Sequence, residues 1–218
     1  MPPDHNHNEG SDMEDTRSGY YVDDVPAVPF TVEPPENIDV TAFTAATAAL
    51  LVPTIPPTSV ALTAELVDDT IEIAQPAESA FTVAGIYRLR IRLTGTGGSQ
   101  GIPDARFVVQ DPDDEWHTLD SIRDEWQDAD YIPDVTLWGL LVMAKLQIVE
   151  FAPRLEDDVP VPSQYRDAQR IQARNIWNAA KVSPDGGIGT DDFVIRPLPL
   201  DWHVKQILRP RPAIGAVL

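Results

Sequence analysis

The chain has 218 residues, with 16 Lys and Arg against 35 Asp and Glu, a net charge of -19 and no cysteine. That length holds one large domain or two small ones, each able to bury a core. The acidity argues against general binding of nucleic-acid phosphates or anionic membranes, and the lack of cysteine excludes disulfides, thiolate catalysis and Cys-ligated zinc.

The charge is uneven. Met1–Asp134 carries 26 acidic and 6 basic residues, Val135–Leu218 9 acidic and 10 basic, and halves of such different electrostatics suggest two domains with two jobs. The polar, acidic start shows no signal-peptide pattern. Residues 1–37 are rich in Pro, Asp and Glu (VDDVPAVPFTVEPPEN) and form an extension expected not to fold alone. His5-Asn6-His7 invites a metal-site or HNH-nuclease reading. The nuclease motif, however, is spread over a hairpin and a helix, and a metal site needs more ligands fixed by a fold. A solvated tail is the preferred reading.

Over residues 38–112 the hydrophobic period becomes two. Ser59–Leu66 alternates Val60, Leu62, Ala64 and Leu66 inward, Thr70–Ala74 does so with Ile71 and Ile73, and Phe81 and Val83 continue the pattern. In Gly85–Leu93 the residues Tyr87, Leu89, Ile91 and Leu93 share one face, and Arg88, Arg90 and Arg92 the other. Gly95–Gly101 (GTGGSQG) reads as a flexible turn and Ala105–Gln110 as the closing strand of a hairpin. Such strands predict a small antiparallel β-sandwich. Their order, with Tyr87 on an alternating strand and a closing FVV strand, resembles immunoglobulin-like domains found on tailed-phage structural proteins. The three arginines could meet an anionic glycan or an acidic partner, but a solvated face paired with carboxylates across the sheet is the commoner arrangement.

Residues 113–191 read as helical. Asp111–Asp134 is an acidic connection holding a short amphipathic helix, with Thr118 as cap and Leu119, Ile122 and Trp126 on one side. His117 lies near Glu115 and Asp120, an exposed set with no third partner for acid/base chemistry. Val135–Ala152 (VTLWGLLVMAKLQIVEFA) is a helix started by Pro133-Asp134, with Asp134 able to cap it and Pro153 barring its continuation. Only Thr136, Gly139, Gln147 and Glu150 make a narrow non-apolar strip. This helix needs cover on several sides, yet Lys145, Gln147 and Glu150 interrupt any membrane-spanning run. Trp138 is expected in the core, and Lys145 beside a carboxylate, for which a neighbouring subunit is one source.

Arg154–Pro162 is a proline-rich loop, after which Ser163 caps a helix to about residue 182. Tyr165, Ala168, Ile176 and Ala179 form its apolar stripe; Arg166, Arg170, Arg174 and Lys181, with Trp177 among them, lie on another face. Arg and Trp are enriched in interface hot spots, so Trp138, Lys145, Arg166, Arg170, Arg174 and Trp177 form the expected subunit interface. The competing reading is a surface helix whose Arg stems cover its own domain. Ser183–Thr190 (SPDGGIGT) is a turn: no strand precedes it and no Lys follows, as a P-loop requires.

Residues 192–218 begin with Phe193–Arg196 (FVIR), a strand apolar on both faces that wants burial or another chain's edge. Asp201 caps a helix to about Leu208 with Val204, Ile207 and Leu208 on one side, and the exit RPRPAIGAVL suits neither helix nor interior strand. His203 beside Asp201 completes no triad, and no catalytic, cofactor or metal constellation is legible.

From Thr118 on, the order of short helix, apolar helix, loop, Arg-bearing helix, glycine turn, strand and basic tail resembles the head-to-tail adaptor (connector) proteins of long-tailed double-stranded DNA phages. Asp192–Pro212 (DFVIRPLPLDWHVKQILRPRP) is similar to the C-terminal end of adaptors in phages of actinobacteria. Joined to the strand pattern, the resemblance gives the expected class, α+β, with an N-terminal immunoglobulin-like antiparallel β-sandwich followed by an α-helical adaptor domain with a C-terminal strand and extended arm. It further implies a ring, twelve copies in such proteins, beneath the portal protein, meeting the next connector, stopper or tail-terminator protein and, as a further candidate, the capsid protein. DNA would pass through its channel without sequence-specific binding. The portal-docking arm would comprise Phe193, Val194, Ile195, Arg196, Trp202, Val204, Lys205, Ile207, Leu208, Arg209 and Arg211. The implied place is the virion, assembled in the host cytoplasm; the residues themselves lead to the expectation of no enzyme activity, cofactor or membrane. The β-rich part and the acidic leader depart from a minimal adaptor. The alternative is a carbohydrate-binding or adhesive virion decoration module carried by the sheet.

Overall fold

The computed structural model describes residues 19–76, 78–156, 159–181 and 199–209. Its strands are β1 (Tyr20–Tyr21), β2 (Phe30–Val32), β3 (Ala45–Val52), β4 (Thr58–Val67), β5 (Thr70–Ile73), β6 (Gly85–Gly95), β7 (Gly98–Gly101) and β8 (Ala105–Gln110). Its helices are α1 (Leu119–Glu125), α2 (Asp134–Phe151), α3 (Ser163–Lys181) and α4 (Trp202–Leu208). The fold is therefore α+β, with an N-terminal sheet and C-terminal helices.

The strands do not divide into the two sheets of a sandwich. They form one sheet in the order β1-β8-β6-β3-β4-β5-β2, with β7 also on β6. The sheet curls: Tyr20 at one end of that order and Phe30 at the other have ring centroids 5.9 Å apart. Inside the curl Tyr20, Phe30, Phe81, Tyr87 and Phe107 form a continuous aromatic cluster with edge-on and stacked contacts. Buried Leu50, Ile71, Ile73, Leu89, Ile91 and Leu93 surround it. The inward alternation expected for β4, β5 and β6 is present, with Ile71, Ile73, Tyr87, Leu89, Ile91 and Leu93 buried.

Three stretches differ from the sequence reading. The leader is not wholly outside the fold: Tyr20 and Tyr21 pair in parallel with Val109 and Gln110, and Phe30–Val32 pairs with β5. Gly95–Gly101 is an ordered two-residue hairpin, Gly95 facing Gly98 and Arg92 facing Gly101. A Cβ on Gly95 would lie 2.5 Å from the Ala42 carbonyl oxygen, so only glycine fits there. Phe81 and Val83 lie in irregular chain; Phe81 is nonetheless fully buried, and the Tyr87 hydroxyl donates to the Val83 carbonyl at 2.9 Å.

Sheet and helices meet through buried side chains. Val108 on β8 belongs to the core formed by Leu119, Ile122, Leu137, Leu140, Leu141, Ala144 and Ile176, with Ile86 packed beside it. Gln110, buried at the end of β8, accepts the Leu119 N–H through Oε1 at 2.5 Å, satisfying a free amide of the first turn of α1. Thr118 caps α1 in a reciprocal pair with Ser121, and Leu119, Ile122 and Trp126 are buried together as their spacing predicts. Asp134 does not cap α2. It is the first-turn residue, Pro133 precedes the helix, and the carboxylate instead accepts from Arg123 Nη2 at 2.5 Å. Ala152 ends α2 ahead of Pro153.

A second helical core joins Trp116, Ile148, Ala152, Tyr165, Ala168, Val204 and Leu208. Asp201 caps α4 by accepting the His203 N–H at 3.3 Å.

Candidate functional site

The candidate site is a surface rather than a pocket, made by the outward faces of α2 and α3. On α2 the inward residues Leu137, Leu140, Leu141, Ala144 and Ile148 are fully buried. The opposite side is also apolar. Val142, Leu146 and Val149 are 37%, 66% and 56% exposed, and on a helix their spacing of four and three sets them in one row. Trp138 is half-buried against the helical core, between the fully buried state expected of it and that open row. Lys145 finds its carboxylate within the same chain, where its ammonium pairs with Asp114 and lies 5.3 Å from the centre of the Trp116 ring.

On α3 the buried residues are Tyr165, Ala168, Gln169, Gln172, Ala173 and Ile176, while Ala179 is exposed. The expected stripe thus ends at Ile176, and two glutamines join it. Gln169 is the joint of the helical domain: its Nε2 donates to the Leu141 carbonyl at 3.0 Å, and its Oε1 accepts the His117 N–H at 3.1 Å. Gln172 Nε2 donates to Gln147 Oε1 at 2.8 Å. A buried amide is expensive unless hydrogen-bonded, which explains why both reach across to α2.

The expected interface arginines divide between two uses. Arg170 ties α3 to α1 through Glu125 at 3.2 Å and pairs with Asp167 at 3.1 Å. Arg166 is half-buried, Arg174 is exposed, and Lys181 lies 4.8 Å from the centre of the Trp177 ring. Arg174 borders a cleft of about 310 Å³ with Glu125, Trp126, Asn175 and Asn178.

His117 is only 3% exposed, contrary to the exposed setting expected for it. Its Nδ1 lies 3.1 Å from Ser121 Oγ and its Nε2 3.8 Å from Glu125 Oε2. Ser, His and Glu in a row resemble triad components, but the Ser121 hydroxyl is engaged by the Thr118 amide in the α1 cap, and neither Ser121 nor His117 lines the adjacent cleft. Burial pushes the His117 imidazole below its ordinary range; Glu125 acts in the opposite direction, and the charges of Arg166 and Arg170 add to the depression. The unfolded chain therefore binds more protons on the acid side of about pH 6.5, so stability is full above that value and falls as the pH drops toward the folded pKa. Replacing His117 with Gln should flatten that slope, read from urea midpoints between about pH 7 and about pH 5.5.

The residues expected to form the arm separate as well. Val204 and Leu208 are buried in the chain's own core, Ile207 is half-buried, and Lys205 and Arg209 lie 5.7 and 4.7 Å from the centre of the Phe151 ring. This stretch packs on the chain's own helices, because α4 has an apolar face that α2 and α3 cover. Trp202 stands outward, 65% exposed. Phe193, Val194, Ile195, Arg196 and Arg211 lie outside the described residues, as do His5, His7 and the Ser183–Thr190 turn.

On the sheet, an open cleft of about 440 Å³ is lined by Val52, Thr58, Val60, Glu78 and Thr82 among others, with no aromatic ring in its lining. Among the described residues no group of His, Asp and Glu side chains comes together to hold a metal ion, and no helix is long and apolar enough to cross a membrane. The chain matches no family model, no curated protein and no solved structure.

Proposed function

We propose that this chain is a structural virion protein, a head-to-tail adaptor whose copies form a ring below the portal, join the DNA-filled head to the tail and line the DNA channel. The observation that carries the reading is the second apolar face of α2. A helix hydrophobic all round is a buried helix, and the described residues cover only one side of it. Val142, Leu146 and Val149 are left for another subunit, with Arg174 and Trp177 on α3 as further contacts. The resemblance of Asp192–Pro212 to adaptor C-termini supplies the portal as the partner of the segment following α3. In this reading the curled sheet is an appended module, and passing DNA meets like charge from the acidic loops, sliding without sticking.

Electron microscopy of the purified chain mixed with its portal protein tests the proposal: rings stacked on the portal are expected, and isolated copies with bare portals would refute it. Truncation after Arg209 spares Val204 and Leu208, so the shortened chain should fold normally and lose portal joining. Normal joining by that truncation would remove the last residues from the docking arm. The sheet's aromatic rings lie in its core, away from the open cleft, so no observation favours the glycan-binding alternative.

A further inference from the structure

The outer face of the sheet carries charge that the helical surface does not use. Arg88, Arg90 and Arg92 stand outward on β6 between the buried Leu89 and Ile91, and Arg106 on β8 faces Arg88 directly in register. Like charges at facing positions of antiparallel strands destabilise the pair, and the usual remedy is a carboxylate across the sheet. Here Arg90 has one, Asp104 at 3.8 Å. Arg88, Arg92 and Arg106 are exposed and make no ion pair among the described residues. Gly85–Gln110 thus holds four arginines and a single acid, in a chain where acids outnumber bases about two to one.

The next stretch is the reverse. Asp111–Asp134 holds ten acidic residues and one arginine. Some are used within the chain, such as Asp114 by Lys145, Glu125 by Arg170 and Asp134 by Arg123. Asp120, Asp124 and Asp128, on α1 and the turn after it, are exposed; Asp120 accepts from the Tyr21 hydroxyl at 3.2 Å, and none of the three has an ion pair among the described residues. Asp120 and Asp124 stand four apart on one helix, where like charges repel. Each patch is self-repelling, each would relieve the other, and within one chain they do not meet.

We propose that the Arg88, Arg92 and Arg106 face of one copy docks on the Asp120, Asp124 and Asp128 edge of a second copy. This rests on the self-assembly in the adaptor reading and gives it a direction. Two different patches in contact make a heterologous, head-to-tail interface, which closes into a ring or runs on as a filament, rather than a two-fold dimer. A second copy is favoured over nucleic acid because the field of a chain at -19 repels a phosphate backbone. The complementary carboxylates are also present once per arginine face in every copy.

The test is a charge swap read by sedimentation velocity and native mass spectrometry on the full chain. R88E/R106E and D124K/D128K alter exposed side chains, and unchanged melting curves confirm that both variants fold. Each variant alone should associate on the order of tenfold more weakly or worse. An equimolar mixture of the two, and a chain carrying all four substitutions, should regain association. The inference is overturned by a wild-type chain that stays monomeric, by variants that assemble like it, or by a mixture and a four-substitution chain that stay apart. It also falls if R88E/R106E instead abolishes retention of double-stranded DNA with the mass unchanged, which would make the face a nucleic-acid contact. Portal binding is scored separately. Charge-swap rescue without portal binding keeps this contact and removes the adaptor reading; portal binding without rescue does the opposite.

Discussion

Leu140→Ala is expected to lower the unfolding free energy by about 3–4 kcal/mol, a large share of the 5–15 kcal/mol typical of a folded domain. Leu140 is fully buried in the core that joins α1, α2, α3 and Val108 of the sheet. Its neighbours are held from several sides: Gln169 pins α3 to the Leu141 carbonyl, and Arg123 reaches Asp134 and the Ile132 carbonyl. Walls fixed in this way cannot collapse into the space left by a lost isobutyl group, so the cost belongs in the upper part of the range for such truncations. Urea unfolding followed by tryptophan fluorescence measures it. A loss below about 1 kcal/mol would mean that α2 is not the centre of the helical core.

The second large effect concerns assembly and leaves the fold alone. Val142→Ser, Leu146→Gln and Val149→Ser together replace the open row on α2 with polar residues of similar helix propensity, so the melting temperature should hardly move. Covering a Val or Leu side chain fully is worth about 1.5–3 kcal/mol. Removing three weakens each subunit contact on the order of a thousandfold, even allowing for incomplete cover. Under the proposed ring assembly, analytical ultracentrifugation should show the oligomer of the unaltered chain replaced by monomer at the same concentration. A triple variant that assembles unchanged, or an unaltered chain that stays monomeric, would show that the row is not the proposed subunit contact.

The contrast between these two sites marks how far the sequence could be read. The apolar excess of α2 was legible from Val135–Ala152, because only a narrow strip of its surface carries non-apolar residues. Which part of that excess stays exposed was not, since it depends on where α3 crosses. The caps at Thr118 and Asp201 and the alternation of β6 were legible for local reasons: a side-chain oxygen beside free amides, and a period of two. Strand β3, central in the sheet between β4 and β6, was not legible because AATAALLV has no aromatic residue and, apart from Thr47 and Val52, none of the β-branched residues that announce strands. The sandwich expectation failed at a non-local point: alternation shows that one face is buried but not whether a second sheet or the curl of the same sheet buries it. His117, Gln169 and Gln172 were hidden for a similar reason. Polar residues are normally read as solvent-facing, and only their partners on α1 and α2 allow them inside.

The seating of α4 gives the molecule a mechanical property. A load applied at Arg209 falls on a seven-residue helix whose described anchors are the buried Val204 and Leu208, the half-buried Ile207 and the cations over Phe151. Extracting two such side chains costs about 3–6 kcal/mol, so α4 should peel away before α2 or the sheet yields. Pulled at Arg209, it would act as a fuse, giving way while the body of the protein keeps its shape.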